Sequence, residues 1–110
     1  MARNDLQGSL DLLVLKTLSQ MGELHGYGIV LHIQRASHEL LSVEEGSVYP
    51  ALHRMEQSGW IRSEWKLTET NRKAKYYRLT AAGQKELRKA EHSFEQLVKG
   101  MRSMLRYAQG

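Results

Sequence analysis

The hydroxyls, imidazoles and guanidinium groups that could act on another molecule crowd into residues 44 to 79 of this chain. Enzyme chemistry is poorly supplied. There is no cysteine to serve as nucleophile, thiolate ligand or disulfide partner, no glycine-rich phosphate loop, and no motif that sets a nucleophile beside a base. The five histidines, at 25, 32, 38, 53 and 92, form neither an HxH nor an HExxH unit. His25 and His32 are spaced to share a helix face, but no carboxylate completes a ligand set. No cofactor, no metal and no enzyme activity are expected.

What the stretch does offer is recognition of a polyanion. Six basic residues, Arg62, Lys66, Arg72, Lys73, Lys75 and Arg78, stand against two acidic ones, Glu64 and Glu69, between residues 62 and 78. The remainder carries ten of each sign, so the whole net charge of +4 sits in this segment. Local excess on a balanced chain is an electrostatic footprint for a polyanion. The plain alternative is a hairpin charged to protect its edges.

The elements that would position these groups are legible. Gly46 and Ser47 are expected to open a short helix, with Ser47 as N-cap and Pro50 in the first turn, where its missing N–H costs nothing. Glu44 and Glu45 belong to the capping region, where the helix dipole favours carboxylates. Leu52 and Met55 give the helix a buried side, and Gly59 stops it in the left-handed conformation. A strand follows, with Ile61, Ser63, Trp65 and Leu67 facing one way and Arg62, Glu64 and Lys66 the other. Residues 68 to 74 form a polar loop, and a return strand over 75 to 79 puts Tyr77 and Leu79 inside. A helix followed at once by a hairpin with a basic tip is the pattern of a winged helix, whose helix enters the DNA major groove and whose hairpin touches backbone or minor groove.

On that reading Ser47, Tyr49, Pro50 and His53 lie near the helix start and face base edges, with Pro50 and the Tyr49 ring suited to a thymine methyl. Arg54 is expected at a phosphate. Asn71, Arg72 and Lys73 form the wing tip, where an arginine reads a narrow minor groove, and Lys66 and Lys75 hold phosphates beside it. Trp60 and Trp65 are expected in the core.

Upstream, residues 1 to 5 are expected to fray. Helix one spans Leu6 to Gln20, with Leu6, Leu10, Leu13, Val14 and Leu18 on one face and Leu12 and Leu15 on a second, so it needs cover on both sides. Helix two starts at Leu24-His25-Gly26-Tyr27-Gly28-Ile29 and runs to about His38. Two glycines in one turn imply a close approach, to another helix or to a phosphate that Tyr27 would bond; packing of Tyr27 in the core is the alternative.

Downstream, Thr80 caps a last helix from Ala81 to about Ala108, roughly 40 Å long. Leu87, Phe94, Met101 and Ala108 recur every seven residues, with Ala90, Leu97 and Met104 between them. A stripe of this kind on a protruding helix calls for a second copy, the helix packing against the partner's copy and against helix one; a helix folded back on its own domain is the alternative. The expected dimer interface is Leu6, Leu10, Leu13, Leu87, Ala90, Phe94, Leu97, Met101 and Met104. The longest strongly apolar run is Leu12 to Leu15, far short of a membrane span, and no apolar signal region opens the chain, so a cytoplasmic protein with no membrane partner is expected.

The expected fold class is mainly α with a small β-hairpin: a winged helix-turn-helix DNA-binding domain over residues 1–79 and a C-terminal dimerisation helix over 80–110. The quoted segments, with Gly8-Ser9-Leu10-Asp11-Leu12-Leu13-Val14-Leu15, Val43-Glu44-Glu45-Gly46-Ser47-Val48-Tyr49-Pro50-Ala51-Leu52-His53-Arg54-Met55 and Asn71-Arg72-Lys73-Ala74-Lys75-Tyr76-Tyr77-Arg78-Leu79-Thr80, resemble the PadR family of winged-helix transcription regulators over most of residues 8 to 83. That resemblance implies a cytoplasmic repressor, dimeric through its last and first helices, bound to a pseudo-palindromic operator on double-stranded DNA. It also implies a small-molecule effector, since some members bind aromatic compounds at the dimer interface; Phe94 and Tyr107 are the only aromatics here in the last helix. The competing readings are a winged-helix protein-interaction module with an acidic partner, and a sensor with a cavity near Phe94 and Met101.

Overall fold

The computed structural model describes the backbone of residues 2–108 and the side chains from residue 9 onward. Seven elements follow in order: α1 (Ala2–Met21), β1 (Glu23–His25), α2 (Gly26–Ala36), α3 (Glu45–Gln57), β2 (Ile61–Leu67), β3 (Lys73–Leu79) and α4 (Ala81–Arg106). The mainly helical winged fold expected from the sequence is present. The sheet is antiparallel with three strands, β1-β3-β2, one more than the expected hairpin. The addition comes from Leu24, expected to begin helix two. It lies instead in β1 opposite Tyr77, so the free edge of β3 is covered.

The core is built from Val14, Leu15 and Leu18 of α1, Ile29 and Ile33 of α2, Val48, Ala51, Leu52 and Met55 of α3, Ile61 and Tyr77 of the sheet, and Leu87 of α4. Each fully buried aliphatic side chain contributes about 1.5–3 kcal/mol. Leu15, expected on a second face, is wholly buried, whereas Leu10 and Leu13 are half-buried against this core. Thr17 is buried too, its hydroxyl donating to the Leu13 carbonyl at 2.7 Å.

Helix ends differ from expectation in instructive ways. Helix α1 begins at Ala2, ahead of Leu6, and the expected interface residue Leu6 lies outside the described side chains. Helix α2 starts at Gly26 because His25 caps it, its Nδ1 accepting from the Gly28 N–H at 3.0 Å; it ends at Ala36, before His38 and Glu39 take positive φ. Helix α3 starts at Glu45, with Glu44 in the cap position, so Ser47 lies inside the helix and is not its cap. Pro50 is then well past the first turn, and the Gly46 carbonyl, which loses its intrahelical donor, is at an exposed residue where water can serve it. Gly59 does terminate α3 at φ +80°, the Gly59 and Trp60 N–H groups closing on the Glu56 and Met55 carbonyls.

Thr80 caps α4 as expected, its hydroxyl accepting from the Gly83 N–H at 3.0 Å. The helix ends at Arg106, leaving Ala108 beyond it. Only its base packs on the rest of the chain. Gly83 passes so close that a Cβ there would lie 1.9 Å from the Trp60 carbonyl oxygen. Leu87 is 1 % exposed, so it belongs to the chain's own core and is not free for a partner, a correction to the expected interface. Lys16 of α1 pairs with Glu91 at 2.8 Å. Beyond Glu91, Phe94, Leu97, Met101 and Met104 are exposed, while Ala90 is half-buried. The molecule is accordingly elongated, 64 Å in its longest dimension.

Candidate nucleic-acid interface

At about 100° per residue, the four buried side chains of α3, Val48, Ala51, Leu52 and Met55, occupy one side. The opposite side presents Gly46, Pro50, His53 and Gln57, all exposed. Tyr49 is on the flank toward α2, and Ser47 and Arg54 are on the flank toward α1. Gln57 belongs to the outer face by the same spacing, though sequence reasoning passed it over.

Tyr49 explains one of the two glycines of α2. A Cβ on Gly26 would stand 2.6 Å from the Tyr49 ring, so the expected close approach is to the neighbouring helix. The Tyr49 hydroxyl donates to Glu45 at 3.3 Å. Burial, and then the Glu45 carboxylate, push that hydroxyl up from its usual pKa, which keeps it a donor. Tyr27 is 52 % exposed, not packed into the core.

Arg54, expected at a phosphate, pairs with Asp11 of α1. Its position on the inward flank decides this. Burial raises the Asp11 carboxyl above its ordinary pKa, and the Arg54 charge offsets part of that cost. Two expected phosphate lysines are also engaged. Lys66 donates to Glu23 of β1 at 2.7 Å, and Lys75 lies 3.6 Å from Glu56 of α3. Glu56 also accepts from the Ser63 hydroxyl, so one carboxylate ties the helix to both strands of the wing.

The tip is different. Among the described residues, neither Arg72 nor Lys73 forms an ion pair. Lys73 and Ala74 belong to β3, so the loop is shorter than expected. The Thr68 N–H donates to the Arg72 carbonyl at 2.7 Å, and Asn71, at φ +62°, occupies the left-handed position of a tight hairpin. Asn71 therefore shapes the turn that aims Arg72.

Trp65 overturns its expected place in the core. It is 65 % exposed, because the helices cover only the base of the sheet, at Ile61 and Tyr77, while the inner face runs on through Trp65 and Leu67. Trp60 is half-buried against the core. Between the wing and the helices lies a cleft of about 900 Å³, with Tyr27 and Tyr49 on one wall, Trp65 on the other, and Arg72, Lys73 and Lys75 beside them.

Residues 14–89 match the profile of the transcriptional regulator PadR-like family. The chain belongs to that family. A transcriptional regulator of Mycobacterium tuberculosis is 31% identical over 77 residues, which cover 70% of this chain and 68% of the relative. The solved structure of a transcriptional regulator from Clostridium thermocellum is similar at a TM-score of 0.83 and 27% identity, covering 96% of this chain and 99% of that one. A PadR-like transcriptional regulator from Bacillus cereus gives 0.74 and 27%, with 98% of each chain covered.

In this PadR-like chain no described helix is long and apolar enough to cross a membrane. Among the described residues no three His, Asp or Glu side chains gather where they could hold a metal ion. The hollow of about 630 Å³ beside Phe94, Val98 and Arg102 is lined by α4 alone, so on one chain it is an open helix flank, and Met101 does not line it.

Proposed function

We propose that this PadR-like regulator binds double-stranded DNA sequence-specifically, acts as a homodimer in the cytoplasm and represses by occupying a pseudo-palindromic operator. The observation that carries the reading is the juxtaposition of an exposed outer face on α3 with a wing tip whose Arg72 and Lys73 form no ion pair among the described residues. Tyr49, Pro50 and His53, with Ser47 at the flank, are the proposed base-reading group. Arg72 and Lys73 contact the minor groove or backbone, Asn71 holds the tip in shape, and Tyr27 is a phosphate donor. Lys66, Lys75 and Arg54 act from a distance, by holding the wing and α3 in place. The acidic-partner reading has less support, since the exposed outer face of α3 beside the wing tip presents Pro50, His53 and Gln57, side chains suited to base edges and not to carboxylates.

Dimerisation is supported by the α4 stripe. Phe94, Leu97, Met101 and Met104 keep coiled-coil spacing and are exposed on one chain. Residues 80–110 would serve as the dimerisation segment and residues 1–79 as the DNA-binding one. An effector would release DNA only by binding two dimer geometries unequally.

The test is binding to a duplex from upstream of the protein's own coding region, against random DNA, at two salt concentrations. Tight, selective and salt-dependent binding is expected. Weak and equal binding to both would remove the operator reading.

A further inference from the structure

On the DNA-binding reading, the outer face of α3 and the wing tip enter adjacent grooves of a duplex, and adjacent grooves share one sugar–phosphate strand as their common wall. Whatever engages both grooves must straddle that strand. The cleft between the wing and the helices is where it would pass. Its chemistry suits such an occupant better than it suits the protein core. Trp65 stands 65 % exposed on the wing wall, with Leu67 exposed further along the same strand face. An indole and a leucine held in water on a small domain are a standing cost unless something covers them. The opposite wall carries Tyr27, a half-exposed residue, whereas the Tyr49 hydroxyl is already given to Glu45. Arg72 and Lys73, neither in an ion pair among the described residues, line the same cleft against Glu69, its one acidic lining residue, while Lys75 on the same lining is held by Glu56, so the excess charge is complementary to phosphate.

We infer that this cleft seats one sugar–phosphate strand of duplex DNA, with the Trp65 indole packed against its deoxyriboses and the Tyr27 hydroxyl donating to a phosphate on the facing side. The inference rests on the DNA-binding reading above and adds to it a residue that carries no charge and reads no base. The Trp65 ring supplies an apolar face to the sugars, and its Nε1–H is one further donor for the strand. Because a backbone contact is blind to sequence, Trp65 should be covered by any duplex.

Random-sequence duplex labelled at one end is therefore the probe, at low salt. Anisotropy of the label reports binding, and acrylamide quenching of tryptophan emission reports cover. Trp60→Phe leaves Trp65 as the only emitter, and Trp65→Phe leaves the half-buried Trp60 as the control. Saturating duplex should protect Trp65 severalfold and leave Trp60 unchanged. Trp65→Ala should weaken binding to random duplex roughly tenfold, the scale of one lost aromatic contact, without changing the slope of affinity against salt. Folding is not at risk at so exposed a position. Duplex that binds while Trp65 stays fully quenchable overturns the cleft and leaves DNA binding standing. The same holds if Trp65→Ala binds as tightly as the unchanged chain. No duplex binding at all, with polyglutamate bound and protecting Trp65, overturns both readings.

Discussion

Two arginines separated by one strand show how little a residue type says without its surroundings. Arg54 and Arg72 are both cationic and both lie in the segment that could meet DNA. Arg54 is on the inward flank of α3 and spends its guanidinium on Asp11. Arg72 is exposed at the wing tip with no ion pair among the described residues. They should fail differently. Arg72→Ala is expected to weaken binding to every duplex and to reduce the salt slope by about one, read from affinities at several salt concentrations. Arg54→Met should leave that slope alone and lower stability by about 1 kcal/mol, because the pair is only partly buried. A urea titration checks this, and an altered salt slope would return Arg54 to the DNA face.

Elements are joined here by a few contacts with no mark in the sequence pattern. Strand β1 is three residues long, yet Glu23 reaches both Lys66, at 2.7 Å, and Arg78, at 3.6 Å. The hydrogen bond from Lys66 is the main reason its carboxyl is held below the usual carboxylate pKa. A carboxylate whose folded pKa is lowered adds stability above its unfolded pKa and loses it as pH falls through the folded value. The wing should therefore loosen from β1 below about pH 4.5, the ordinary value, and Glu23→Gln should remove that part of the acid dependence in amide exchange of β3. Gly83 is a second hidden joint. A methyl group there would overlap the Trp60 carbonyl, so Gly83→Ala should lower stability by about 1–3 kcal/mol although alanine is the better helix former. An unchanged melting temperature would show that α4 can shift away without cost.

Over the whole molecule, α4 behaves as two segments. Its base is fastened by Gly83, Leu87 and the Lys16–Glu91 pair, and its outer half carries exposed apolar residues into solvent. The heptad spacing foresaw a single continuous seam, but Leu87 is consumed by the chain's own core and the seam available to a partner starts later, at Phe94. Leu97→Glu should give monomers in sedimentation without unfolding the domain, since Leu97 makes no part of the core. An intact dimer would move the interface elsewhere. Loss of operator binding together with the dimer would show that two copies must act at once.

The sequence by itself determined the order of the four helices and the two wing strands, the glycine that ends α3, the threonine that caps α4, the basic wing and the amphipathic last helix. Each of these follows from local conformational preference or from periodicity, both of which are written in neighbouring residues. Only the tertiary structure decided that Leu24 joins the sheet, that the close approach at Gly26 is made by Tyr49 of α3, that Gly83 is a close-packing position, that Lys66, Lys75 and Arg54 are held by Glu23, Glu56 and Asp11, and that Trp65 stands outside the core. Those outcomes depend on partners from 19 to 53 residues away along the chain, as with Glu56 beside Lys75 and Leu24 opposite Tyr77. An ion pair or a close approach is a property of two distant segments at once, and neither segment alone carries its signature.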